Sequence, residues 1–211
     1  MFTAPGGRTL LAASLPARMA FGMISLAIYF KVQKATGSIA VAGLATGLNG
    51  LAGAITAGLR GAAIDRFGMR WPLRFLVPGY SIMMVVLSFA TERTALVLIA
   101  TLLGLSAPPI NLSVRPLWKI TVAKEKYRTA FALDTATMNA VGVVAPVLAT
   151  TIALSFSPAL ALQVCAFLMT SGGFLLLQTW QVRKWTPEKS DEKAPPLWRI
   201  RGIQQIGRAH V

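Results

Sequence analysis

The sequence predicts an all-α integral membrane protein, a bundle of six transmembrane helices. Three observations carry that expectation. Hydrophobic residues make up 55% of the 211-residue chain and charged residues only 13%, with a mean hydropathy of +0.60, whereas a soluble domain carries about 25% charged residues. The apolar residues fall into six runs, each close to the roughly 20 residues that a helix needs to cross the hydrocarbon core. The 21 Lys and Arg residues gather in short connections between those runs, as they do where membrane helices are flanked by basic anchors.

The first run extends from Thr9 to Phe30. Pro16 and Arg18 interrupt it, and no small-residue cleavage site followed by a soluble domain appears, so it reads as an uncleaved first span rather than a signal peptide. The second run, Ile39 to Leu59, is rich in Gly and Ala. Gly43 and Gly47, with Gly50, Gly53 and Ala57 nearby, place small residues at about four-residue spacing. In lipid, helices associate by close backbone approach rather than by hydrophobic force. The stripe therefore reads either as tight packing or as a face that slides against a partner. The third run covers Leu73 to Ala90, the fourth Ala95 to Val114, the fifth Thr129 to Phe156 and the sixth Ala159 to Thr179. Pro78, Pro108, Pro109 and Pro146 fall inside these spans, and each removes a backbone donor and kinks its helix. The short connections make consecutive helices antiparallel.

Basic residues orient the bundle. Arg60, Arg66, Arg70 and Arg74 flank the second connection, Arg115, Lys119, Lys124, Lys126 and Arg128 fill the fourth, and Arg183, Lys184, Lys189, Lys193, Arg199 and Arg201 follow the sixth run. The opposite face has Lys31, Lys34 and Arg93. Both termini are expected in the cytoplasm, on a multi-pass protein of the inner (cytoplasmic) cell membrane.

Composition also narrows the function. The net charge of +14 is spread among helix flanks, so the expected basic-residue partner is the lipid bilayer and not nucleic acid. A single cysteine, Cys165, makes no internal disulfide, and no His, Cys and acid cluster has metal-ligand spacing. No metal and no cofactor is expected. An intramembrane serine protease needs a histidine within the membrane, and the one histidine is His210, in the tail. There is no P-loop to bind a nucleotide. The chain is not expected to be an enzyme.

Charges inside spans are costly and mark candidate sites. Arg18 lies near the middle of the first run and Asp134 in the first part of the fifth; Asn49, Asn111 and Asn139 are uncharged polar positions. These five are the candidate substrate or coupling residues, with interhelical hydrogen bonding the competing role for the asparagines. Arg18 is roughly 13 Å and Asp134 roughly 8 Å from the start of its run at 1.5 Å per residue. A long arginine side chain spans that difference.

The stretch Gly61-Ala62-Ala63-Ile64-Asp65-Arg66-Phe67-Gly68-Met69-Arg70 resembles the motif G-x-x-x-D-R-x-G-x-[RK] of the major facilitator superfamily, which joins that family's second and third helices. Here too it is the second connection. Gly61, Asp65, Arg66, Gly68 and Arg70 match; Ala63 and Met69 depart from the commoner Leu and basic residue. The resemblance implies a conformational latch against the other half of a transporter. Asp65 is expected to accept bonds from loop amides or to sit near a helix N-terminus, Gly61 to permit close helix approach, and Gly68 to take positive φ. Two further family patterns are weak. Thr101 stands where the fourth helix usually has Arg in R-x-x-G, and Val141 to Pro146 keeps only the Pro of the antiporter motif G-x-x-x-G-P. The stretch GLSAPPINLSVRPLW from Gly104 looks like a pattern of bacterial members assigned to drug or sugar efflux. In the family the first and fourth helices line the central cavity, which favours Arg18 and Asn111 as substrate-facing, and the first and fifth lie side by side, so the resemblance implies that Arg18 and Asp134 pair.

The expected organisation is a six-helix N-terminal half over residues 1–180, a cytoplasmic linker over 181–205 and a tail at 206–211. The family has twelve spans in two halves with the substrate between them, so the resemblance implies a fragment lacking its C-terminal six-helix half. Ile206 to Val211 is what the codons ATC GGA AGA GCA CAC GTC encode, a string like a sequencing adapter, and the tail is expected to derive from one. The expected function is secondary active transport of a small solute, of bacterial efflux type, by alternating access. The alternative is an oligomeric six-helix channel or structural membrane protein.

Overall fold

The computed structural model describes residues 5–186; the expected tail and residues 187–205 of the expected linker lie outside them. The described residues form eight α-helices: α1 (Pro5–Thr36), α2 (Ile39–Phe67), α3 (Arg70–Phe89), α4 (Arg93–Leu105), α5 (Ile110–Thr121), α6 (Tyr127–Ser155), α7 (Pro158–Gln178) and α8 (Trp180–Lys184). A single 3₁₀ turn, Lys124–Lys126, precedes α6. Six stretches are long and apolar enough to cross a membrane, the fourth being α4 and α5 taken together. The fold is the six-span helical bundle that the hydropathy pattern predicts.

Helix α1 is the axis of the bundle. It packs most extensively against α7, then α6 and α2, with α5 alongside. Alanines make this possible: Ala13, Ala17, Ala20 and Ala27 are buried, and they recur every three to seven residues along a face shared with Leu10, Met23 and Ile28. Gly172 of α7 sits directly on the backbone of Ala17, where a methyl group would overlap both its nitrogen and its Cβ. In lipid such contact is the cohesive term, because the acyl chains compete equally for apolar surface.

Among the described residues, the helix N-caps made by side chains lie at one end of the bundle. Ser38 accepts from the Val41 N–H at 3.3 Å, Glu92 from the Ala95 N–H at 2.7 Å and Ser157 from the Leu160 N–H at 3.1 Å. Ser157 is followed by Pro158 at the first helical position, where the missing N–H costs nothing. The amides of Ala95 and Thr94 hold the exposed Glu92 carboxyl below the usual carboxylate range. The other end gathers the start of α1, the α2–α3 turn, the end of α5 and α8. Gln181 of α8 donates to the Gly6 carbonyl there at 2.9 Å. We refer to it as the basic end.

Two expectations change. The charged stretch Gly61 to Phe67 is helical, because α2 runs unbroken to Phe67. Only Gly68 and Met69 form the turn. Gly68 has φ +76°, and its N–H donates to the Ile64 carbonyl at 2.8 Å. Ala, Ile and Arg are compatible with helix, so charge density there marks emergence from the apolar layer and not a loop. The fourth span is not one helix. It stops at Leu105 and restarts at Ile110, since neither Pro108 nor Pro109 has an N–H to continue the ladder.

The break is sealed by polar groups from within α4 and from α2. Ser106 N–H donates to Leu102 O at 3.0 Å, and Ala107 N–H to Gly104 O at 3.4 Å. Arg60 Nη1 donates to Gly104 O at 3.2 Å while its Nη2 donates to Gly53 O at 2.6 Å. Thr56 Oγ1 lies 3.3 Å from Leu105 O. Interrupted helices survive in membranes where freed carbonyls are satisfied in this way. Gly104 lies against the Asn49 backbone carbonyl with no room for a Cβ, which is what allows the Arg60 and Asn49 side chains to reach α4.

Candidate functional site

Arg18 sits in α1 and Asp134 in α6, helices that run parallel. Counted from their observed starts, they lie about 20 Å and about 11 Å along their helices. The arginine side chain closes that gap. Its Nη2 donates to Asp134 Oδ1 at 2.7 Å, and both side chains are sealed from solvent, at 1% and 3% exposure. The expected pair is formed.

The guanidinium is only partly used. Arg18 Nε and Nη1 are buried and have no hydrogen-bond partner among the described residues. An arginine has five N–H donors and cannot shed its proton, so these donors remain a charged, unfilled demand in a low-dielectric site. Helices α1 and α5 run antiparallel, with Gly6 beside Thr121 and Gly7 beside Trp118. That register sets Arg18 level with the interruption before α5. A buried guanidinium with spare donors therefore lies at the depth where the fourth span is broken. Chemically, it is equipped to exchange one acceptor for another.

The other candidates do not join this pair. Asn49 donates from Nδ2 to the Ala100 carbonyl at 2.9 Å, an interhelical bond that ties α2 to α4. Asn111, in the first turn of α5, and Asn139, on α6, are exposed. Thr101, where the resemblance places an arginine, bonds back to Val97 O in its own helix at 2.8 Å.

The motif residues occupy the basic end. Asp65 and Arg66 lie in the last turns of α2, both exposed. Since the stretch around it is helical, Asp65 has no loop amides beside it to accept from. It borders a groove of about 490 Å³ with Lys119, Lys184 and Trp185. Near a helix C-terminus a carboxylate is disfavoured by the local dipole, so Asp65 is left wanting a cationic or N–H partner. The Arg66 guanidinium lies 5.3 Å from the Phe67 ring centre. A methyl group in place of the Gly61 hydrogen would meet nothing within 4 Å, and the same holds at Gly43, Gly47 and Gly50. Close approach at Gly61 is therefore absent among the described residues. The tight part of α2 is its other side, where Asn49 and Gly53 face Gly104.

Arg60 was legible only as a flanking charge. Its role in sealing the break was signalled by the Pro108–Pro109 pair, which frees carbonyls that a donor must reach. No group of three or more His, Cys, Asp or Glu residues that could hold a metal ion occurs among the described residues.

The sequence profile described as Major Facilitator Superfamily matches residues 10–208. No curated protein and no solved structure matches the chain.

Proposed function

The chain belongs to the major facilitator superfamily of membrane transporters, and on that premise we propose that it is the N-terminal half of a secondary transporter working by alternating access. The observation that carries the reading is the buried Arg18–Asp134 pair with two spare arginine donors. In this reading Arg18 passes between Asp134 and an anionic or strongly polar small solute, so that binding of the solute and the Arg18–Asp134 contact are linked. Asn111 and Asn139, exposed on α5 and α6, face the solute path. Efflux is the direction favoured by the resemblance at Gly104 to Trp118.

A second six-helix half completes the transporter. The face of α2 carrying Gly43, Gly47, Gly50 and Gly61 has nothing against it among the described residues, and small residues are the surface that a transmembrane helix packs on. In this reading the basic end, where α1 starts and α8 ends, is cytoplasmic. Asp65 has no ion-pair partner among the described residues. It supplies an acceptor for the other half and, with Gly61 and Arg66, forms the latch.

The test is transport of a panel of small organic anions into liposomes. The two-half protein should transport, the 211-residue chain alone should insert and transport nothing, and Asp65→Asn should slow the two-half protein without reducing insertion. Transport by the chain alone would refute the half-transporter reading in favour of an oligomeric channel.

A further inference from the structure

A second feature of the basic end lies on the outside of the bundle. Between the start of α3 and the end of α7 runs a groove of about 750 Å³. Arg70 and Arg74 line one wall, Gln178 and Trp185 the other, and Pro78 and Phe174 continue it along the helices. We propose that this groove binds a phospholipid with an anionic headgroup, phosphate toward Arg70 and Arg74 and acyl chain along Pro78 and Phe174.

Charge complementarity points to the headgroup. Arg70 and Arg74 are one helical turn apart, so their side chains share a face and repel. Among the described residues neither has an ion-pair partner, and none that lines the groove is acidic. A phosphate between them removes the repulsion and takes bidentate bonds from each. Trp71 and Trp185 border the same site, and tryptophan favours the membrane–water boundary where headgroups lie.

The surrounding surface points to an acyl chain rather than a helix. The outer faces of α3 and α7 expose Phe75, Ile82, Phe89, Phe167 and Phe174, each at least 60% accessible. These are bulky side chains, unlike the glycines exposed on α2. Basic pockets between transmembrane helices hold anionic headgroups in this manner. The inference rests on the membrane assignment alone and is independent of alternating access.

Each arginine at a membrane surface contributes about fivefold in affinity for an anionic lipid, so the two together give about 30-fold. The experiment is native mass spectrometry of the full chain with equimolar phosphatidylglycerol and phosphatidylcholine, paired with melting curves in nanodiscs of each lipid. Phosphatidylglycerol should be retained preferentially and raise the melting temperature. R70Q/R74Q should lose the preference, and R115Q, at the same end but off the groove, should keep it. Equal retention of both lipids by the wild-type chain would overturn the proposal without reference to any variant. So would a preference that survives R70Q/R74Q, or one lost equally in R115Q. A melting shift reproduced by inorganic phosphate alone would also overturn it, leaving an anion site with no lipid. Destabilisation of R70Q/R74Q in both lipids, with no lipid preference, would assign the groove to the chain's own acidic stretch at Glu188, Asp191 and Glu192.

Discussion

Replacing Asp134 with alanine strands the Arg18 guanidinium in the bundle interior, and the size of the penalty follows from the geometry. At an N–O separation of 2.7 Å the attraction is about 6 kcal/mol for an effective dielectric constant of about 20. Most of that only offsets desolvation, so the pair's net contribution is small, while loss of one partner of a buried pair costs about 3–5 kcal/mol. Asp134→Ala should reach that range, because arginine keeps its charge. Arg18→Met should fall in the same range, because it leaves the buried Asp134 carboxylate without its partner. The double variant should cost only about 1–2 kcal/mol, since both charges are gone and an apolar pair fits a helical interior. Coupling of about 3 kcal/mol or more follows. The assay is equilibrium unfolding in mixed micelles with increasing sodium dodecyl sulfate, followed by fluorescence of the five tryptophans. A double variant that loses as much as the two single variants combined would refute the reasoning. It would make Arg18 and Asp134 two unrelated polar residues.

Two other outcomes follow from the packing and the caps. Gly104→Val should destabilise the chain by about 2 kcal/mol or more, because its side chain must displace the Asn49 backbone, whereas Gly47→Val should stay within about 0.5 kcal/mol in the chain alone. Equal losses in the same unfolding assay would show that the open face of α2 is already covered. Glu92 is held below the usual carboxylate range by amides that form only in the folded chain. The cap therefore contributes fully above about pH 4.3, the unfolded value, and is lost as pH falls through the lowered folded value. Melting temperature between about pH 3 and pH 6 should fall less steeply for Glu92→Gln; parallel curves would remove the cap from the account.

Much of the fold was legible in the sequence because the membrane imposes a length on every apolar run. The sixth span was expected at Ala159 to Thr179 and forms at Pro158–Gln178. The Arg18–Asp134 contact was legible in part for the same reason: rise per residue fixes the depth of each charge, while the adjacency of the first and fifth spans came from the family resemblance. Hydropathy failed where hydrogen bonds decide. Pro108 and Pro109 count as tolerable in an apolar window, yet they end a ladder of N–H donors, and only the carbonyls of α4 register the loss. The extension of α2 through Asp65 and Arg66 was hidden by the opposite error, since charge at a span's edge says where lipid stops and says nothing of where the helix stops. The asparagines could not be sorted at all. Asn49, Asn111 and Asn139 are chemically alike, and what separates them is the helix face each occupies once α4 is seated on α2.

The contact of Gly172 with Ala17, and of Gly104 with Asn49, has a mechanical consequence. Where backbone meets backbone there is no side chain to change rotamer, so these two seams have no soft coordinate along which to yield. Helices α1 and α7 are locked to each other, as are α2 and α4, with Arg60 pinned across the second seam. The two pairs, α1 with α7 and α2 with α4, consequently behave as rigid units, and α5, separated from α4 by two prolines, is an element that these seams leave out.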